Sequence, residues 1–155
     1  MERPQRHDHW SAGDAYEPYV GRWSRLVAAD FLRWLESLAG LDWLDVGCGT
    51  GALTRAILDQ AQPRSVRSVD LSPDFVAHAR SHVVDKRVAF EVADARALRY
   101  DDASFDAAVS GLALNFVPQP ERAAAEIERV ARPGGVVETY LWDYAGRMEF
   151  MRAFW

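Results

Sequence analysis

The chain has 155 residues, 49% of them hydrophobic and 26% charged, with 18 basic and 23 acidic side chains for a net charge of −5. That length suits one domain with a real core, and an acidic balance without any lysine- or arginine-rich run disfavours a nucleic-acid partner. No apolar run is long enough for a membrane helix, the polar start with His7, Asp8 and His9 is no secretory leader, and the single cysteine, Cys48, rules out an internal disulfide and fits a reducing cytosol.

Residues 1–15 are polar and are expected to be a mobile segment ahead of a domain spanning 16–155. Tyr16 to Ser24 leads into a first helix. In it Trp23, Leu26, Val27, Phe31, Trp34, Leu35 and Leu38 recur at helical spacing, which predicts that most of these aromatics are core, and Gly40 is a C-terminal stop. Leu41, Trp43, Leu44 and Val46 then read as a short buried strand. Directly after it come Gly47, Gly49 and Gly51, followed by the helical stripe Ala52, Leu53, Ala56, Ile57 and Leu58. Strand, glycine turn, helix is a context in which a ligand can touch the backbone, and free N–H groups are expected at the helix start. A tight turn without a ligand is the plainer alternative. Cys48, between glycines and with no partner base in sequence, reads as a small loop-lining residue, not a nucleophile.

Pro63 and Arg64 mark a turn into a second strand, Val66 to Val69, which ends at Asp70. The interval 70 − 51 = 19 suits an acid at the second strand's tip that accepts hydrogen bonds from ribose hydroxyls. Ser72 and Pro73 cap the next helix, Pro73 to about Val84, which is expected to leave Asp70 free for the ligand. His78 and His82 are four apart on that helix and lack a third metal ligand, so an exposed pair is expected. Val88, Phe90 and Val92 alternate with small or polar residues in a third strand that runs to Asp94 and Ala95. Asp101 to Ser104 turn into a fourth, Phe105 to Val109, where Asp106 is expected to order the turn. Ser110 to Phe116 follow it, in the position where open α/β sheets bind ligands. Pro118 and Pro120 open a helix through Val130, Arg132 to Gly135 close it, and Val136 to Trp142 make a fifth strand. The remainder reads as the start of an amphipathic helix.

Five strands alternating with helices predict an α/β fold: a Rossmann-like, doubly wound parallel sheet in three layers, ordered 3-2-1-4-5 with right-handed crossovers. The glycines fall one residue short of the dinucleotide pattern G-x-G-x-x-G, and Asp45 stands two residues before the first. Together with Asp70, the Val-Ala-Asp-Ala-Arg-Ala-Leu step from Val92 and the Arg-Pro-Gly-Gly turn, this pattern resembles the class I S-adenosylmethionine-dependent methyltransferases. The resemblance runs from about Tyr16 to Trp142. It implies S-adenosylmethionine as cofactor. The glycine loop with Asp45 would lie at its methionine and ribose parts, Asp70 and Leu71 at the ribose, Asp94 and Ala95 at the adenine, and Ser110 at the face turned to the acceptor. Tyr19 and Arg22 belong to an entry segment that contacts the methionine end in similar enzymes; Arg22 is equally readable as a solvated arginine.

The resemblance further implies a small-molecule methyl acceptor, a cytoplasmic enzyme, and two more strands than this chain carries. An uncovered apolar fifth strand predicts a homodimer through that edge. Many relatives carry a histidine near Leu114 or Asn115, and this chain has none. In-line transfer from a sulfonium is mostly positioning work, so no general base is required. A non-catalytic cofactor-binding or assembly module is the alternative, and a nicotinamide oxidoreductase is disfavoured by the glycine spacing.

Overall fold

Short apolar strands joined by amphipathic helices must bury both sheet faces, and the chain does so by the alternation just described. The computed structural model describes residues 21–36 and 39–143. Tyr16, Tyr19, the segment 1–15, Leu38 and the helix expected after Asp143 lie outside them. The elements in order are α1 (Arg22–Trp34), β1 (Asp42–Val46), α2 (Ala52–Ala56, extended by a π turn over Ile57–Ala61), β2 (Ser65–Asp70), α3 (Pro73–His82), β3 (Val88–Val92), β4 (Phe105–Gly111), a 3-10 turn (Leu114–Phe116), α4 (Pro120–Val130) and β5 (Ala131–Tyr140). The sheet is ordered β3-β2-β1-β4-β5 and every pair is parallel.

Two cores fill the layers. Trp43 of β1, Val66 of β2 and Val109 of β4 meet Phe31 and Leu32 of α1, Leu53 and Ile57 of α2, and Val76 and Ala79 of α3. On the other face Leu44 and Val46 of β1, Val69 and Ala108 meet Ala123, Ile127 and Val130 of α4. Adjacent residues of β1 thus serve opposite layers, as the pleat requires. Ser72 caps α3 as expected: its Oγ accepts from the Phe75 N–H at 3.3 Å, and Pro73 follows at the first helical position.

Two expectations change. The aromatics of α1 are not mostly core: Trp23 is 51% and Trp34 67% exposed, as is Leu26 at 59%. Among the described residues the helix buries a narrower face, Ser24, Ala28, Phe31 and Leu32, against α2 and Tyr140 of β5. The fifth strand also starts earlier, at Ala131. The Arg132–Gly135 turn is absorbed as an irregularity in its pairing, with Phe105 opposite Ala131 but Ala107 opposite Val136.

Asp106 does more than order a turn. Its Oδ2 accepts the Asp42 backbone N–H at 2.9 Å and the Arg64 guanidinium at 3.1 Å, and its Oδ1 accepts from Arg132. Arg64 also forks onto Asp42, at 2.9 and 2.7 Å. The amino ends of β1, β4 and β5 are therefore pinned by two carboxylates and two guanidiniums. The backbone bond from Asp42, then the bond from Arg132, holds the Asp106 carboxyl below its ordinary range. Replacing Asp106 by Ala is expected to cost about 1–2 kcal/mol, part of the value of a charge-assisted bond because the cluster is partly wet. Urea unfolding of the native chain and the variant at neutral pH, compared through their midpoints, checks this.

Candidate cofactor site

The glycine turn sits at the carboxyl end of β1, beside the point where strand order reverses between β1 and β4. Its three glycines have different work. A Cβ on Gly47 would lie 2.3 Å from the Ala113 Cβ, so this glycine admits the loop that follows β4. One on Gly51 would meet Val83 Cγ2 at 3.0 Å, so the third lets α3 close against the turn. One on Gly49 would meet nothing within 4 Å: here the backbone is bare toward open space, where a ligand can lie on it.

The turn does not offer the row of free N–H groups expected from the sequence. The N–H groups of Gly47 and Cys48 both donate to the Val69 carbonyl, at 2.8 and 2.9 Å, and Gly51 donates to the Cys48 carbonyl at 2.8 Å. Gly49 donates to Asp70 Oδ2 at 2.9 Å. The turn folds back on the tip of β2 and fastens itself there, so it serves a ligand by shape. Asp70 is likewise not free: Oδ2 holds Gly49, and Oδ1 holds the Ser72 N–H at 2.9 Å. Burial raises its pKa while those two N–H groups oppose the rise. Each carboxylate oxygen has a second lone pair, so Asp70 is positioned and keeps acceptor capacity. Leu71, next to it at the end of β2, is an apolar side chain left 63% exposed.

Asp45 lies beneath the turn, fully buried. Its Oδ2 accepts from Thr54 Oγ1 at 2.6 Å, and Thr54 shares a 2.8 Å hydrogen bond with Ser68 of β2. Its Oδ1 has no partner among the described residues. Burial raises its pKa to about 7; the Thr54 bond lowers it and the nearby Asp70 raises it further. Thr54 and Ser68 were not singled out in the sequence, although a serine within the apolar strand Val66–Val69 was a readable signal of buried polar work. Burial likewise lifts the Cys48 thiol well above its ordinary value, so it stays protonated and inert, as its reading as a loop-lining residue requires.

The remaining expected residues stand past the end of β3, near the end of β4 and at the start of α1. Asp94, past the end of β3, is gripped by Arg96 through bonds of 3.0 and 2.7 Å and by the Arg96 N–H at 2.9 Å. The Arg96 side chain holds its pKa near 2, so it is a fixed anion. Ala95 is half-buried beside it. Ser110, near the end of β4, is fully buried and its Oγ has no partner, an orphan of the kind a ligand satisfies. Leu112, just beyond, holds φ +59°, a strained value for a non-glycine residue, at the carboxyl end of β4. Arg22 is exposed at the start of α1, its guanidinium 5.0 Å from the Trp23 ring centre. His78 and His82 stack with ring centres 4.0 Å apart, and among the described residues no cluster of three or more His, Cys, Asp or Glu could hold a metal.

A bare backbone at Gly49, an orphaned hydroxyl at Ser110 and two positioned acids at the strand tips fit S-adenosylmethionine, and this fold with this site defines a class I S-adenosylmethionine-dependent methyltransferase. The chain belongs to the family described as Methyltransferase domain, which matches residues 44–138. It is 31% identical over 156 aligned residues to the 2-methyl-6-phytyl-1,4-hydroquinone methyltransferase of Synechocystis sp., covering 96% of this chain and 49% of that protein. It is 36% identical over 94 residues to the malonyl-[acyl-carrier protein] O-methyltransferase of Hahella chejuensis, covering 61% of this chain and 34% of the relative. Among solved structures, that of the [4+2]-cyclase SpnF superposes with a TM-score of 0.62 at 36% identity, over 74% of this chain and 43% of that one. The chain thus spans half or less of the length of these relatives.

Asp45 supplies a pH test. Its pKa is near the ordinary carboxylate value of about 3.9 when unfolded and about 7 when folded. Between those values the native state keeps a proton that the unfolded state has lost, so stability falls as pH rises from about 4 to 7. Denaturant titrations across that window are expected to show this decline in the native chain and a flatter profile in Asp45→Asn, which carries no titrating proton.

Proposed function

We propose that this chain binds S-adenosylmethionine across the carboxyl ends of β1, β2 and β4 and transfers its methyl group in line to a small-molecule acceptor. The observation that carries the reading is the fastened glycine turn: Gly49 is bare toward open space while its N–H is tied to Asp70. Gly47, Gly49 and Gly51 with Asp45 beneath them would hold the methionine and ribose region. Asp70 would accept from the ribose hydroxyls with its remaining lone pairs, and Leu71 would cover the nucleoside edge. Asp94, oriented by Arg96, would accept from the adenine amine, and the Ala95 N–H would serve the ring. Ser110 would satisfy its orphaned hydroxyl on the cofactor, and Arg22 would pair with the carboxylate at its methionine end. The cofactor supplies an activated methyl and its own leaving group; the chain supplies alignment, which is worth on the order of 7–11 kcal/mol of barrier when fully achieved.

The small-molecule acceptor is supported by the names of the relatives, a quinol and an acyl-carrier-bound malonyl methyltransferase, and by the net charge of −5. A single domain over 16–155 in a reducing cytosol suits the lone buried thiol. No helix among the described residues is long and apolar enough to cross a membrane. A second reading is binding without methyl transfer, and the likeness to a protein titled a cyclase favours keeping it.

Titration calorimetry with S-adenosylhomocysteine is expected to give micromolar binding that Asp70→Ala weakens at least about tenfold, since the variant loses the acceptor and frees Gly49. Failure of the folded chain to bind sinks the cofactor assignment; binding without turnover on any quinol or acyl acceptor tried favours the second reading. The edge of β5, with Val137 44% and Leu141 47% exposed, supports pairing of two copies. Light scattering at increasing concentration should then give a dimer mass, and a monomer throughout removes that proposal.

A further inference from the structure

The fifth strand carries one residue against its own pattern. Val136, Glu138 and Tyr140 alternate onto one face of β5, and Val136 and Tyr140 pack against the core on the α1 side. Glu138 stands between them, paired in the sheet with Val109, which is fully buried in that same core. A position flanked in this way suits an apolar side chain, and it holds a half-buried acid. Among the described residues the Glu138 carboxylate has neither a hydrogen bond nor an ion pair. Taking a carboxylate out of water without a countercharge is costly, and a local rule broken without compensation inside the chain points to a partner outside it.

Glu138 borders an open groove between α1 and β5. Its walls include Val27, Asp30, Phe31 and Trp34 of the helix and Glu138 and Tyr140 of the strand, and its volume is about 360 Å³. That is the lower part of the range of roughly 300–1,000 Å³ in which small ligands are held. Three of the walls are aromatic. Phe31 and Trp34 stack with ring centres 6.2 Å apart and planes at 25°, and Phe31 meets Tyr140 at 4.7 Å and 46°. The Tyr140 ring is fixed from its other side by Gly111, where a Cβ would lie 2.6 Å from Cζ. Trp34 is 67% exposed, so much of its indole surface is open to a ligand. Asp30, the other acid of the groove, is paired with Arg33, which leaves Glu138 as the groove's unanswered charge.

We propose that this groove binds an organic ammonium ion, a protonated or methylated amine, with its charge on Glu138 and its carbon shell against Trp34, Phe31 and Tyr140. An aromatic face attracts a cation through its quadrupole, and a carboxylate beside it adds an ion pair. An anion would be repelled by Glu138, and a neutral apolar ligand would leave that carboxylate unmet and further desolvated. A hard metal ion asks for several oxygen ligands, where this groove offers one unpaired carboxylate among rings. An alkylammonium ion matches both features, being charged at its centre and apolar at its surface. None of the groove's residues belongs to the set assigned to the cofactor, so the two sites stand or fall separately.

The test titrates the chain with choline and with 3,3-dimethyl-1-butanol, the neutral molecule of the same shape, at constant ionic strength held with sodium chloride. Choline is expected to bind with a Kd of about 1 mM, and its neutral counterpart at least about fivefold more weakly. Glu138→Gln, which keeps the side chain's size, should weaken choline at least about fivefold, and Trp34→Leu at least about threefold. Neither variant should move the affinity for S-adenosylhomocysteine by more than about twofold. Equal binding of the two molecules would make the groove a merely apolar cleft, and no saturable binding of choline by the folded chain at about 50 mM would leave it without this ligand class; both overturn the proposal. A Glu138→Gln variant that binds choline as the native chain does overturns it too. Choline binding by a chain that takes no S-adenosylhomocysteine supports this inference and counts against the cofactor reading alone.

Discussion

A single carboxylate buried beneath the glycine turn constrains the site more than any other group. Asp45 has one oxygen on Thr54 and the other without a partner, and Thr54 in turn meets Ser68. Three elements, β1, α2 and β2, are joined at one buried point, and the direction in which the turn leaves the sheet follows from it. A buried polar group in low dielectric is costly unless its partners are fixed, so such a network specifies one arrangement strongly. Asp70 lies close enough to act on Asp45 electrostatically, and it is itself fastened to the turn through Gly49. Two acids thus share the control of one loop, one from below and one from the side.

The two ends of the sheet carry different loads. At the amino ends, Asp42 and Asp106 meet Arg64 and Arg132 in a wet cluster whose charges match. At the carboxyl ends of β1 and β2 the charges do not cancel locally: Asp45 and Asp70 are both acids, both with raised pKa, and among the described residues the Ser110 Oγ has no partner. Matched charges at one end stabilise the fold there, and the unmatched polar groups at the other are where the proposed site lies.

Much of this was legible because the signals were local. Apolar runs gave all five strands, glycine spacing gave the turn, and Ser72-Pro73 gave the cap of α3, each set by residues within a few positions of one another. The positions of Asp70, Asp94 and Ser110 at or beside the carboxyl ends of their strands were also legible. What could not be read was the company these residues keep. The four N–H groups taken up within the turn, the grip of Arg96 on Asp94 and the Tyr140 ring above Gly111 depend on how elements lie side by side. The exposure of Trp23, Leu26 and Trp34 has the same origin: periodicity marks an apolar face but does not say how much of it a neighbour covers.

The fastened turn also bears on the rhythm of turnover. A loop whose backbone donors were open would have to order itself around each incoming cofactor and loosen again for each departing one, with an entropic cost at every cycle. Here Gly47, Cys48 and Gly49 are already bonded to Val69 and Asp70, and that ordering was settled once, when the chain folded. With the cofactor placed as proposed, its exchange at this cradle would leave the backbone as it was, and the rate would be set by side chains at the rim and not by remaking the turn.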